Sequence, residues 1–198
     1  MGEIYQWTVM RYGFQYIVYK FSESSLEVVN NAIKINENLF QKALAGDSVD
    51  KQRSDPNLRK GNIKWIKDPK LYHVLNDILG VVNRNSKWNL KITSGEASQY
   101  GIYNIGDHYG WHNDQLLIQD QLVRKVSMSL FLNDPDEYDG GELDIDFKNP
   151  NIDPRYDTLK LDSGYAVFFQ SHLWHRVRPI RSGVRKSLVA WFSGPRYV

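Results

Sequence analysis

The 198-residue sequence contains no cysteine. Disulfides and thiolate metal sites are thereby excluded, and any bound metal must be held by nitrogen and oxygen donors. No stretch approaches the roughly 20 apolar residues of a membrane-spanning helix. Glu3, Gln6 and Arg11 interrupt the first turns of the chain, so no signal peptide is expected. An excess of one charge is also missing: a net charge of +2 is too small to mark a nucleic-acid or membrane-surface protein. These absences together lead to the expectation of a cytoplasmic protein with no membrane partner. There is no internal repeat, low-complexity tract or linker. What the chain does have is aromatic content, with six Trp and twelve Tyr, which favours aromatic-lined strands. Its length suits one domain with a substantial core.

The amino half carries two helical patterns. Ser24-x-x-Glu27 reads as a capping box. Behind it Leu26, Val29, Ile33, Phe40 and Leu44 fall on one helical stripe that Gly46 is placed to stop. Asp68-Pro69 reads as an N-cap followed by proline at the first helical position, with Leu71, Val74, Leu75, Ile78, Leu79 and Val82 as the apolar face. Residues 47–62 are polar and charged, a loop pattern. From Trp88 onward the period becomes two. Trp88, Leu90 and Ile92 alternate, as do Val126, Met128, Leu130 and Leu132, and then Leu143, Ile145 and Phe147 against Glu142, Asp144 and Asp146. Apolar runs follow at 164–170 and 185–192. Turn signals at Asn133-Asp-Pro135, Asp139-Gly-Gly141, Asp162-Ser-Gly164 and Arg181-Ser-Gly183 separate the runs. Many short strands at regular spacing predict a sandwich or barrel. Order and length favour a jelly-roll, the cupin-like double-stranded β-helix, among sandwiches of the same period. The expected class is mainly β with flanking helices (α+β). We expect a single domain over 1–198, with a helical support region at 1–87 and a jelly-roll core at 88–198.

His112 and Asp114 lie two apart, so on a strand both side chains leave from one face. Alone, such a pair is common on surfaces. His175 follows a second apolar run and supplies a third donor. Two histidines and one carboxylate, with the opposite face open, are the donor set of non-haem Fe(II) sites. The other histidines are weaker. His172 is the rival to His175, three residues nearer the turn. His108 and His112 have helical zinc spacing, but Gly106 and Gly110 argue against a helix there. His73 lies inside the second helix and reads as structural. Each metal-bound imidazole also needs a partner for its second nitrogen.

Arg185 shares a strand face with Ser187, Val189 and Trp191, and Lys186, Leu188, Ala190 and Phe192 share the other. If the arginine face is turned inward, a buried guanidinium must find an anion, either an internal Asp or Glu or a bound carboxylate that supplies a bidentate contact. If the lysine face is turned inward, Lys186 is buried and Arg185 solvated. Spacing leaves both open.

The segment Tyr103-x-x-Gly106-x-x-Tyr109-x-x-His112-x-Asp114, the stretch from Val126 through Gly140-Gly-Glu-Leu143, and the stretch from Phe169 through His175 and Arg185 to Pro195 together resemble the prolyl 4-hydroxylase-like group of Fe(II)/2-oxoglutarate-dependent dioxygenases. Within that group they are most similar to PKHD-type hydroxylases of bacteria and phages. The likeness covers roughly the last half of the chain. It implies Fe(II) held by His112, Asp114 and His175, with 2-oxoglutarate and dioxygen as cosubstrates and ascorbate as an accompanying reductant. It implies Arg185 on the distal carboxylate of 2-oxoglutarate, a hydrogen bond from Tyr103 to the cosubstrate, and Ser187 as a weaker contact to the same carboxylate. One departure stands out: some hydroxylases of the group place a cosubstrate-binding tyrosine on the strand that here spans 127–132, and this chain has none there. Asn113, between the ligands, is expected to point away from the metal, and Tyr109, Trp111 and Trp174 are candidates for the pocket wall.

The resemblance implies hydroxylation of a prolyl residue in a peptide or protein partner. Lys51, Arg53, Arg59 and Lys60 could make residues 47–62 a lid, although a solvated loop is the simpler reading of such a charge run. Oxidative demethylation of nucleobases is a second enzyme reading, suggested by Arg176, Arg178, Arg181 and Lys186 and opposed by the small net charge. A non-catalytic cupin-like module holding a metal or sugar is the third. No feature fixes an oligomeric state.

Overall fold

The computed structural model describes residues 3–5, 15–35, 40–43, 55–118, 121–146 and 155–196. Its elements in order are β1 (Glu3–Tyr5), β2 (Tyr16–Lys20), α1 (Glu23–Ile35), β3 (Gln41–Lys42), β4 (Arg59–Lys60), β5 (Asn62–Ile66), α2 (Pro69–Asn85), β6 (Ser94–Gly95), β7 (Ser98–Tyr103), β8 (His108–His112), β9 (Leu122–Phe131), β10 (Tyr138–Gly140), β11 (Leu143–Asp146), β12 (Tyr156–Leu159), β13 (Tyr165–Gln170), β14 (Trp174–Val177), β15 (Ile180–Gly183) and β16 (Arg185–Pro195). Among the described residues the larger sheet runs β1-β2-β13-β9-β16-β7-β5-β3, with β6 on β16, and the smaller runs β12-β11-β14-β8-β4. β10 and β15 form a separate ladder. The pairs β13–β9, β9–β16, β16–β7 and β14–β8 are antiparallel, as a jelly-roll requires.

The central strands of the larger sheet are buried on both faces, and the period of two sorts their side chains. Ile17 and Tyr19 of β2, Met128 and Leu130 of β9, Phe168 of β13, and Leu188, Ala190 and Phe192 of β16 pack against Leu71, Leu75, Ile78, Leu79 and Val82 of α2 and Val29 and Ala32 of α1. The intervening residues Val18, Phe131, Val167 and Phe169 face the smaller sheet, where Leu143, Ile145 and Val177 meet them. The two helices thus brace the outside of the larger sheet, and the space between sheets is left for a site.

The local starts are instructive. Asp68 caps α2, accepting from the Leu71 N–H at 2.8 Å, with Pro69 just behind it. α1 is capped by Ser22, whose Oγ accepts from the Ser25 N–H at 3.3 Å, two residues before the expected Ser24 box. It ends at Ile35, and Phe40 lies outside it beside β3. Leu44, Gly46, residues 47–54 and Phe147 lie outside the described residues. Residues 88–92 form no strand; Trp88, Leu90 and Ile92 instead lie against the helix-side core. Region 1–87 supplies strands as well as helices: β2 is paired inside the larger sheet, and β5 pairs with β7.

Candidate active site

β8 and β14 pair so that His112 and His175 are direct cross-strand neighbours. Both imidazoles are oriented the same way. His112 Nδ1 donates to the Gly110 carbonyl at 2.8 Å and His175 Nδ1 to the Leu173 carbonyl at 3.0 Å. A carbonyl can only accept, so each ring carries its proton on Nδ1 and presents the Nε2 lone pair. These are the partners that the sequence could not name. Asp114 completes the cluster, with His112 Nε2 3.8 Å from Oδ1 and His175 Nε2 3.4 Å from Oδ2. The three donor atoms lie within 4.8 Å of one another, a spacing one metal ion can bridge.

Asp114 does not share a strand face with His112, as regular alternation predicts. β8 ends at His112, and Asp114 lies just beyond, its N–H donating to the Ser171 carbonyl at 2.9 Å. Ser127 Oγ donates to Asp114 Oδ2 at 2.8 Å and lies 2.9 Å from Ser171 Oγ. Both serines are fully buried. Nothing in the sequence marks them, because a serine on a buried strand has no pattern of its own. The electrostatics suit a divalent cation. Burial, and then His175 beside it, hold the His112 pKa well below the ordinary imidazole value, so that ring is neutral. Burial alone would raise Asp114, but His175 and His112 outweigh it and keep the carboxyl well below the usual range. A neutral His112 ring and an ionised Asp114 are protonation states that metal binding needs.

A cavity extends from this cluster between the sheets. At its inner end Arg185 is 1% exposed, so its face of β16 is turned inward, while Lys186 is exposed. Arg185 Nη1 donates to Ser187 Oγ at 3.0 Å, and the guanidinium lies 5.6 Å from the Tyr103 ring, its cross-strand neighbour on β7, and 5.1 Å from the Phe131 ring. Arg185 Nε and Nη2 are buried without a hydrogen-bond partner. They form one edge of the planar fork, the edge that takes a carboxylate side-on. Tyr103 and Ser187 line the same cavity.

The mouth is marked by the more exposed lining residues Gln41, Trp65, Asn113 and Leu116. Asn113 therefore faces the cavity rather than away from it, because the strand has already ended. Tyr109 is also inside. A bulge between β8 and β14 pairs Val177 with Tyr109, so Tyr109 stays on the face of His112 and stacks on it at 3.4 Å. Burial pushes the Tyr109 phenol up to about 12. Arg59 lies over the Tyr109 ring at 4.3 Å and donates to Gln99 Oε1. Trp191 lies 5.9 Å from Trp65, with Arg124 over it at 4.3 Å and paired to Glu96. Trp111 points outward instead, against Tyr156 and Arg176, and Trp174 does not line the cavity. His172 is exposed in the turn before β14 and is not part of the cluster.

Residues 97–193, just under half of the chain, match the family described as the 2OG-Fe(II) oxygenase superfamily. The chain's likeness within the superfamily is to prolyl 4-hydroxylases and PKHD-type hydroxylases. A PKHD-type hydroxylase of Thermosynechococcus vestitus is 33% identical over 138 residues, covering 67% of this chain and 59% of the relative. One of Verminephrobacter eiseniae is 39% identical over 90 residues, covering 43% of this chain and 37% of the relative. The chain therefore spans between about a third and three fifths of the length of these relatives. In fold it is similar to a Pseudomonas putida prolyl-4-hydroxylase (TM-score 0.65, 21% identity, 92% of this chain and 94% of the other). It is equally similar to the viral collagen prolyl hydroxylase of Paramecium Bursaria Chlorella virus-1 in its 2-oxoglutarate complex (TM-score 0.65, 20% identity, 92% and 97%). The jelly-roll class follows from these likenesses. Among the described residues no helix is long and apolar enough to cross a membrane.

Proposed function

We propose that this chain is an Fe(II)- and 2-oxoglutarate-dependent hydroxylase of prolyl residues in a peptide or protein. The observation that carries the reading is one cavity holding both a two-histidine, one-carboxylate cluster and a buried arginine edge with no anion of its own. His112, Asp114 and His175 would hold the metal, Arg185 with Ser187 and Tyr103 the cosubstrate. Bound iron with 2-oxoglutarate would supply the oxidation, one atom of dioxygen going into the substrate C–H bond and the other into succinate as carbon dioxide is lost. The protein supplies orientation. Carbonyls of Gly110 and Leu173 fix the imidazoles, and Ser127 fixes the carboxylate.

The prolyl substrate is supported by the mouth. Trp65, half-buried at the mouth, offers a flat wall for a small saturated ring. Trp191, which lines the same cavity, has a buried Nε1 donor without a hydrogen-bond partner among the described residues, and a peptide carbonyl would satisfy it. A solved protein of this fold, from Trichoplax adhaerens, is a prolyl hydroxylase in complex with a hypoxia inducible factor peptide fragment. The arginines that suggested nucleic acid are committed elsewhere: Arg176 and Arg178 both donate to buried Asp144, and Arg181 to Asp139.

Anaerobic titration with Fe(II) and then 2-oxoglutarate, followed by addition of oxygen and proline-containing peptides, tests the reading. A visible charge-transfer band, then succinate and a peptide 16 Da heavier (about one oxygen atom), are expected. A band with no peptide product from any prolyl sequence overturns the substrate; absence of the band overturns the cosubstrate.

A further inference from the structure

The strand β9 places Phe131, not a tyrosine, beside Arg185. A phenol reaches the same guanidinium from another element. Tyr138 opens β10 and is 4% exposed. Its position is fixed by two glycines. Gly183, its partner across the β10–β15 ladder, has φ +72° and admits no side chain, since a Cβ there would stand 2.8 Å from Tyr138 Cα. Gly141, at φ +67°, lies wedged between the two side chains, where a Cβ would stand 2.9 Å from Arg185 Cδ and 3.2 Å from Tyr138 Cε2. The Asp139-Gly-Gly141 turn thus brings Tyr138 and Arg185 together. On its far side the Tyr138 ring is covered by Lys160 Nζ at 4.5 Å, which also donates to the Tyr138 carbonyl.

The polar atoms of this pair are incomplete together. The Tyr138 hydroxyl is buried without a hydrogen-bond partner, as are Arg185 Nε and Nη2. Burial raises the phenol pKa and the Arg185 guanidinium beside it pulls it back, while the hydroxyl and the Nε–Nη2 edge each lack a hydrogen-bond partner among the described residues. Leaving three buried donors unsatisfied is costly. A carboxylate has lone pairs for all three.

We propose that Tyr138 is a cosubstrate-binding residue, its hydroxyl completing with the Nε–Nη2 edge of Arg185 a three-donor seat for the distal carboxylate of the 2-oxo acid. The proposal rests on the reading of Arg185 given above. It places on β10 the phenol that other hydroxylases of the group carry on the strand occupied here by Phe131, and gives Gly141 and Gly183 their function.

The test is equilibrium binding to the Fe(II) protein without oxygen, comparing wild type with Tyr138→Phe. Phenylalanine keeps the ring that packs on Gly141 and Lys160, and the melting temperature checks the fold. Two ligands are used: 2-oxoglutarate, and 2-oxobutyrate, which keeps the chelating keto acid and lacks the distal carboxylate. Tyr138→Phe is expected to weaken 2-oxoglutarate about tenfold, the scale of one hydrogen bond to a charged group, and to leave 2-oxobutyrate unchanged. An unchanged affinity for 2-oxoglutarate overturns the proposal. So does an equal loss for both ligands, which would make Tyr138 structural. Failure of the parent reading is distinct, because the wild-type protein itself would then show no preference for 2-oxoglutarate over 2-oxobutyrate.

Discussion

At the residue scale, the three side chains that the structure brings together were legible and their supports were not. His112, Asp114 and His175 could be picked out because the His-x-Asp pair sits inside a longer motif and a second histidine follows an apolar run. Ser127 and Ser171 could not, since their role depends on β9 and the turn before β14 meeting in space. Partners of metal ligands typically govern affinity by about 10–100-fold. Ser127→Ala is therefore expected to weaken Mn(II) binding within that range by calorimetry; unchanged affinity would show the serines to be passive filler. His172 and His175 separate on the same assay, His175→Ala losing high-affinity metal and His172→Ala retaining it, as its exposed position in the turn requires. The metal-free protein should also report the buried ring. His112 is held neutral below its ordinary value of 6.5, so as pH falls through that value the unfolded chain takes up a proton that the folded one does not. Stability then falls with pH. Asp114, depressed in the fold, acts in the same direction, its contribution present above the ordinary carboxylate value and lost at lower pH. The melting temperature of metal-free protein should drop between pH 7 and about 5.5, and His112→Gln should flatten that drop. An equally steep profile in the variant would remove His112 as its source.

At the element scale, legibility followed how local the signal is. The start of α2 is set by two adjacent residues, and Asp68 and Pro69 do what their chemistry suggests. Asp68→Ala should cost about 1 kcal/mol, lowering the melting temperature by about 2–4 °C for a chain of this size; no shift would mean water satisfies the helix start as well. The start of α1 was misplaced because Ser22, Ser24 and Ser25 are all competent caps, and their mutual contacts decide among them. β2 was missed because Tyr16, Ile17, Val18 and Tyr19 are all buried, so no alternation remains to be read. Residues 88–92 alternate without pairing, since lying against the helix-side core asks the same of Trp88, Leu90 and Ile92 as a strand face does. The bulge that turns Tyr109 into the cavity has no local signal either; it exists only in the pairing of β8 with β14.

At the scale of the whole molecule, β16 organises the site. Six residues separate Arg185 from Trp191, about 20 Å along a strand, and both line the cavity. One strand therefore carries the anion seat at its inner end and an aromatic wall at its mouth, with the metal cluster contributed by the facing sheet. Such a division predicts separable losses. Arg185→Ala should weaken 2-oxoglutarate binding strongly, because it removes a buried guanidinium edge that lacks an anion among the described residues. Trp191→Phe keeps most of the wall but removes the orphan indole N–H, so it should raise the peptide KM several-fold, the scale of about one hydrogen bond, with 2-oxoglutarate affinity unaltered. The decisive comparison is the pair of variants on the pair of ligands. If Trp191→Phe weakens 2-oxoglutarate as Arg185→Ala does, or Arg185→Ala acts mainly on the peptide, then cosubstrate and substrate do not divide the cavity along β16, and the peptide must enter from another side.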